Sequence, residues 1–231
     1  MAEGRNNSSL LRDYGGTVLI AVIVALLIRF FLFEAYRIPS AAMRPTLEPG
    51  DTIFVEKWPF GLRLPWTDSA FTSARKPHHG EVVVFSIEDS QKRDYIKRIL
   101  GLPGDTVEMR NGVFYLNGNS MEVPGSRKSD CASEITPEGQ TYAVCFDPHL
   151  IENFEPTKVP DDSYFVVGDF RGRPSKEIGI EKNFHAWGIF PLNTLRGSAL
   201  WIWLSLDPQN RGSANALFPS IRFDRMFRRV Q

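Results

Sequence analysis

The sequence predicts a mainly β protein carried behind one membrane-spanning helix. Three observations support this. Sixteen prolines and eighteen glycines are spread widely over 231 residues, which suits a turn-rich β chain better than a helical bundle. Short β-branched or alternating segments recur between turn signals. One run, Gly15 to Phe33, is apolar except for Arg29, and a span needs roughly 20 mostly apolar residues. The length allows one large domain with a smaller insert, and an apolar share of 42% is enough for a packed core. A formal net charge of zero leaves no nucleic-acid footprint.

Taken in order, residues 1–14 are polar and read as a disordered N-terminal segment. Residues 15–35 form the predicted membrane helix. Its Arg29 lies near one end, where it can snorkel to the interface, and Phe30, Phe31, Phe33 and Tyr36 supply aromatic bulk there. Basic residues lie on both sides, so charge alone barely orients the helix. A cleaved export signal is the competing reading, with Ser40 and Ala42 as the small residues at −3 and −1. The gap from the apolar run to Ala42 is long for that.

Strands follow. Asp51 to Lys57 alternates, and Glu81 to Ile87 is a β-branched run that reads as fully buried. Asp94 to Leu100 is a further strand, with Tyr95, Lys97 and Ile99 on one face. Trp58 to His79 reads as a long loop. Thr106 to Leu116 is a hairpin around Asn111-Gly112, the dipeptide best suited to a type I′ turn, and Asn117-Gly118 marks a second turn. Residues 119–162 turn polar and proline-rich and form a small β insert. The core then comprises 36–118 and 163–231, with Ser163 to Asp169 and Gly188 to Leu206 returning to it. The tail interleaves Arg222, Arg225, Arg228 and Arg229 with Phe223, Met226 and Phe227. It is either a solvated basic end or a contact for anionic headgroups.

Cys131 and Cys145 share the insert. Outside the cytoplasm they would form a disulfide worth roughly 2–4 kcal/mol; otherwise they are two partly buried thiols. His78 and His79 are adjacent in a loop and make a poor metal site, and His149 and His185 stand alone. All four read as ordinary surface residues, and the chain lacks ligands at zinc spacing.

Two motifs carry the chemistry. Ile38-Pro39-Ser40-Ala41-Ala42-Met43-Arg44-Pro45-Thr46-Leu47 directly follows the apolar run. Tyr95-Ile96-Lys97-Arg98 leads into Gly101-Leu102-Pro103-Gly104-Asp105. Together they resemble bacterial signal peptidase I, the membrane-anchored serine–lysine leader peptidase. The resemblance runs from the apolar helix through Ile221-Arg222-Phe223. It implies a β domain of several antiparallel sheets, partly barrel-like. It also implies a cytoplasmic N-terminus, with the β domain on the outer side of a bacterial cytoplasmic membrane. The implied reaction is removal of signal peptides from exported preproteins, without metal or organic cofactor.

Residue by residue, the resemblance places Lys97 as general base and Ser40 at the oxyanion hole. Ile38, Pro39, Met43, Leu47, Tyr95 and Ile96 match residues lining shallow apolar pockets that suit Ala-x-Ala. A lysine serves as base only if its neutral form is populated, which burial among apolar groups favours. Alone, Lys97 reads as a solvent-facing lysine beside Arg98.

Two positions depart from the family pattern. Ala42 stands at the nucleophile position and has no hydroxyl. In an extended segment Ser40 would lie roughly 6–7 Å from position 42 along the chain, too far to replace it. The last motif, usually Gly-Asp-Asn, then Ser-x-Asp-Ser-Arg, then Trp-Gly, here has Phe170 after Gly168-Asp169, and extra residues before Trp187-Gly188. Ser175 aligns loosely with the hydroxyl that orients the lysine. The two departures together favour natural divergence over one engineered change. The expectation is a protein that binds signal peptides without cleaving them. The alternative is a pseudopeptidase serving as scaffold for an active paralogue or the export machinery.

Overall fold

The computed structural model describes residues 7–62, 72, 74–87, 93–147, 149, 153–171, 187–207 and 220–230, and all structural statements concern these. A helix, α1 (Asn7–Phe31), leads directly into strand β1 (Phe33–Arg37). The helix thus begins and ends earlier than the 15–35 expected from apolarity. The aromatic residues after Phe31 are extended because β1 pairs with β2 (Asp51–Glu56), from Phe33 opposite Glu56 to Arg37 opposite Thr52. Among the described residues, no helix is long and apolar enough to cross a membrane. The described side chains of α1 from Tyr14 to Arg29 are exposed, and Phe31 at its end is half-buried.

The main sheet adds β3 (Val82–Ile87), β4 (Arg93–Gly101), β11 (Ser163–Val167), β13 (Trp187–Pro191) and β14 (Leu195–Ser205). Its order is β1-β2-β14-β3-β4-β11-β13, antiparallel throughout. The two edges do not pair with each other, so the sheet is open and not a closed barrel. It curls nonetheless: the Tyr36 hydroxyl on β1 donates to Asp94 Oδ2 on β4, 3.1 Å away.

β3 explains why the sheet has a core on both faces. Val82 and Val84 pack with Ile38, Met43, Leu47 and Ile53, whereas Val83 and Phe85 pack with Ile99, Tyr164 and Val166. The period of two sends alternate residues to opposite faces, so a continuous apolar run fits a strand buried on both.

A second lobe holds two smaller sheets. β5 (Thr106–Arg110), β6 (Val113–Leu116), β7 (Asn119–Ser120) and β10 (Phe154–Lys158) form one, in the order β10-β5-β6-β7. β8 (Cys131–Ile135), β9 (Thr141–Phe146) and β12 (Phe170–Arg171) form the other, with β12 parallel to β9. Asn111 and Gly112 have φ of 51° and 72°, and Asn117 and Gly118 have 51° and 81°, as I′ turns need. The insert does not stand alone at 119–162. Val107, Met109 and Phe114 share one core with Ala132, Val144, Phe165 and Val167, so its packing recruits strands from both sides. The change in polarity at 119 reflects surface residues and not this core.

Two further expectations are revised. Arg222 and Arg225 are not solvated: they pair with Glu48 and Asp51, and Arg225 is buried. His79 is also no ordinary surface residue. Its side chain is 12% exposed, and its two ring nitrogens lie 2.8 Å from Asp105 Oδ2 and 2.8 Å from Glu138 Oε1.

Candidate functional site

The first motif is pinned at its start and then turns. Ile38 N–H donates to Asp51 O at 2.8 Å, and Ile38 O accepts from Gly50 N–H at 2.9 Å. The chain bends at Ser40, Arg44 N–H bonds Ala41 O at 3.0 Å, and Leu47 N–H bonds Met43 O at 2.9 Å. The segment from Ser40 is therefore bent and not extended as the sequence reading assumed. Ala42 is held by its main chain: its carbonyl accepts from Phe170 N–H at 3.2 Å.

The second motif lies on β4. Lys97 is 4% exposed, opposite Val83 of β3. Its amine and the Ala42 carbonyl meet at Gly168, just past the end of β11. A Cβ at 168 would overlap Ala42 O and sit 3.2 Å from Lys97 Nζ. Position 168 needs glycine for space. The sequence reading registered Gly168 only as part of a motif; an uninterrupted strand ending in Gly-Asp was the available signal.

Behind Gly168 lies a buried charged network. Arg98 forms a fork on Asp169, with Nε to Oδ1 at 2.8 Å and Nη2 to Oδ2 at 2.6 Å. Its Nη1 donates to Gly80 O at 2.7 Å, and the Thr46 hydroxyl of the first motif donates to Asp169. Arg171 forks onto Glu134 at 3.0 and 2.7 Å, and its Nε donates to Gly168 O at 3.0 Å. Tyr142 donates to Glu134 at 2.7 Å and lies under the Arg98 guanidinium, 4.0 Å from its ring centre. Burial works against the charge on both arginines. Asp169 and Glu134 outweigh it and hold their pKa values above the ordinary range. Burial, then Glu134, raises the Tyr142 phenol well above its usual range. Two cations face two anions, so this interior is locally neutral and its charges are hydrogen-bonded, as buried charges must be. The sequence reading gave Arg98 no role, because an arginine is exposed by default.

The residues expected to line pockets do not all come together. Ile38, Met43 and Leu47 are 2%, 1% and 0% exposed and sit in one core cluster, with Ile96 packed against it. Side chains so buried are core and do not line an open surface. Tyr95 packs on the opposite cluster, its ring 5.9 Å from Phe85. Pro39 is exposed and Ser40 half-buried. Ser175 lies outside the described residues. Cys131 and Cys145 are joined in a disulfide across directly opposed positions of β8 and β9.

A buried lysine and a main-chain turn are thus brought together at Gly168, and position 42 in that turn carries no hydroxyl. Comparison with known proteins gives the family. Residues 11–204 match the model of the signal peptidase family, peptidase S26, and the chain belongs to that family. It is 32% identical to signal peptidase I of Pseudomonas aeruginosa over 90% of this chain and 78% of that one. It is 34% identical to signal peptidase I of Bacillus licheniformis, over 74% and 80%. Signal peptidase I P of Bacillus subtilis subsp. natto is 36% identical, over 73% and 78%. A crystal structure of a signal peptidase I from Enterococcus faecalis matches 55% of this chain and 98% of its own, at 25% identity and a TM-score of 0.33.

Proposed function

We propose that this chain is a membrane-anchored signal peptidase I relative that binds the signal peptides of exported preproteins and does not cleave them. One observation carries the reading: the Lys97 amine and the main chain of Ala42 converge on Gly168 in a largely buried setting. In the family reaction a serine at 42 would lose its proton to a neutral Lys97 amine and attack the scissile carbonyl. The acyl-enzyme would form as the amine leaves with that proton, and water would then release it. Ala42 supplies no oxygen for the first step. Ser40 is the proposed oxyanion-hole residue, and Pro39, Tyr95 and Ile96 border the peptide groove with Ile38, Met43 and Leu47 behind. The exposed apolar side chains of α1 support its role as the anchor. The β domain then lies on the outer face of a bacterial cytoplasmic membrane, the bilayer being its other partner.

The departed last motif favours a second reading. Phe170 stands where the family has asparagine, and its backbone N–H donates to the Ala42 carbonyl. Here the chain is a scaffold for an active paralogue or the export machinery.

One substitution separates the two. Ala42→Ser is expected to give measurable cleavage of a preprotein by purified protein in detergent, where the parent chain gives none. Robust cleavage by the parent would overturn the inactive reading. If the serine variant stays silent while signal peptides still cross-link at Tyr95, the scaffold reading is the better one.

A further inference from the structure

We propose that Cys131 and Cys145 are positioning residues for the candidate site. Their disulfide opens by thiol exchange, and while closed it fixes the strand end from which Phe170 grips Ala42. The proposal rests on the reading of Ala42, Lys97 and Gly168 as that site.

The segment from Gly168 to Arg171 makes several of the site's contacts. Gly168 lies against the Ala42 carbonyl and Lys97 Nζ, Asp169 binds Arg98 and Thr46, and Phe170 N–H donates to Ala42 O. The segment ends in β12, two residues at the edge of a sheet with β9 as neighbour. Phe170 is opposite Cys145 and Arg171 opposite Phe146. Cys145 N–H donates to Asp169 O and Asp147 N–H to Arg171 O, each at 2.9 Å. The disulfide therefore sits on the residue that holds the main chain of Asp169.

β9 offers β12 its open end. The hairpin turns between Ile135 and Thr141, whereas Cys131 opens β8 and faces Cys145 near the end of β9. The end of a hairpin farthest from its turn opens most readily, since few bonded neighbours hold it. Past the disulfide, Phe146 N–H donates to Asp130 O at 2.6 Å. A covalent link at this place suppresses opening where β12 hangs. A link near the turn would join residues already held and leave the site end free. When the disulfide opens, the Arg171 fork on Glu134 remains, so the segment loosens without leaving.

The link is also reachable. Both cysteines are half-buried and border a cavity of about 480 Å³ with Arg44, Pro45 and Phe170. Glu48, Asp130 and Asp147 border it too, and this excess of acids disfavours an anionic attacker. An uncharged dithiol suits it better. One thiolate of the dithiol attacks a cysteine sulfur and displaces the other cysteine as thiolate, which takes up a proton. The second sulfur of the dithiol gives up its proton, closes on the first and releases the remaining cysteine. Two cysteine thiols form, and the dithiol is oxidised to a ring.

The test uses the full chain in detergent: oxidised, reduced with dithiothreitol, and as Cys131→Ala combined with Cys145→Ala. Hydrogen exchange is read by mass spectrometry on peptides covering 168–171, with 82–87 in the main sheet as reference. We expect exchange at 168–171 to quicken about tenfold or more in the reduced and double-alanine chains, while 82–87 keeps its protection. Reoxidation should restore the slow rate. In an Ala42→Ser background, opening the disulfide should lower kcat about tenfold and leave KM within about twofold, because the link orients the site and does not bind peptide. Equal protection at 168–171 in all three chains would overturn the proposal. So would loss of protection at 82–87 as well, which would make the link a general brace, or a rise in KM with kcat unchanged. Failure of dithiothreitol to reduce the folded chain would overturn the exchange step, with the double-alanine chain deciding the clamp. If Ala42→Ser is silent even when oxidised, the cleavage reading falls and the exchange data alone decide.

Discussion

Gly168 sits where two parts of the chain come too close for any side chain. The atom that an alanine would add overlaps the Ala42 carbonyl, which belongs to the backbone and cannot rotate away. Gly168→Ala should therefore displace the first motif. We expect a loss of about 1–3 kcal/mol of stability in urea unfolding, with weaker signal-peptide binding. Unchanged unfolding and binding would show that the turn has room to give. The charged pair next to it sets a second expectation. Asp169→Ala leaves the fully buried Arg98 guanidinium without its fork, and removing one partner of a buried pair typically costs about 3–5 kcal/mol. The measurement is again urea unfolding, and a loss below 1 kcal/mol would place water around Arg98.

At the scale of elements, β4 shows what a sequence reveals and what it hides. Strand alternation was enough to put Tyr95, Lys97 and Ile99 on one face, and the β-branched run of β3 was enough to bury that neighbouring strand on both of its own faces. The same alternation turns Arg98 inward, yet its acid lies 71 residues away along the chain. A pair that distant has no local signature. The shared packing of Phe114, Val144 and Phe165 likewise has no local signature, since it joins segments distant in sequence.

The β8–β9 hairpin is tied to the main sheet by His79, and this contact carries a pH expectation. Neutral imidazole has one donor and one acceptor, so carboxylates at both ring nitrogens require the doubly protonated cation. Burial works against that cation, but Glu138 and Asp105 outweigh it and raise the His79 pKa above 6.5. His78 and Arg75 lie on the same loop, both on Glu81, and Asn117 donates to Asp105. A raised folded-state pKa means stability fully present below the unfolded value and lost as pH rises through the folded one. The unfolding midpoint should thus fall from pH 6 to pH 9, and His79→Gln should flatten that part of the profile. An equal fall in both proteins would place the transition elsewhere.

Seen whole, the molecule is a curled open sheet with a helix at one edge and a second lobe at the other side of β4. The candidate site lies at the turn after β1 and the end of β11. The family was legible in two short motifs, because those residues are fixed by local geometry: a tight turn and a buried strand. The network from Thr46 through Arg98 and Asp169 to Arg171 and Glu134 was not, since Thr46, Arg98 and Glu134 lie far along the chain from Asp169 and Arg171.

Position 42 is gripped by its peptide carbonyl, through the amide of Phe170, and its methyl side chain takes no part in that bond. Serine and alanine are therefore equivalent there as far as that grip is concerned. A change of side chain at 42 can therefore alter what the site offers a substrate while this main-chain contact stays in place.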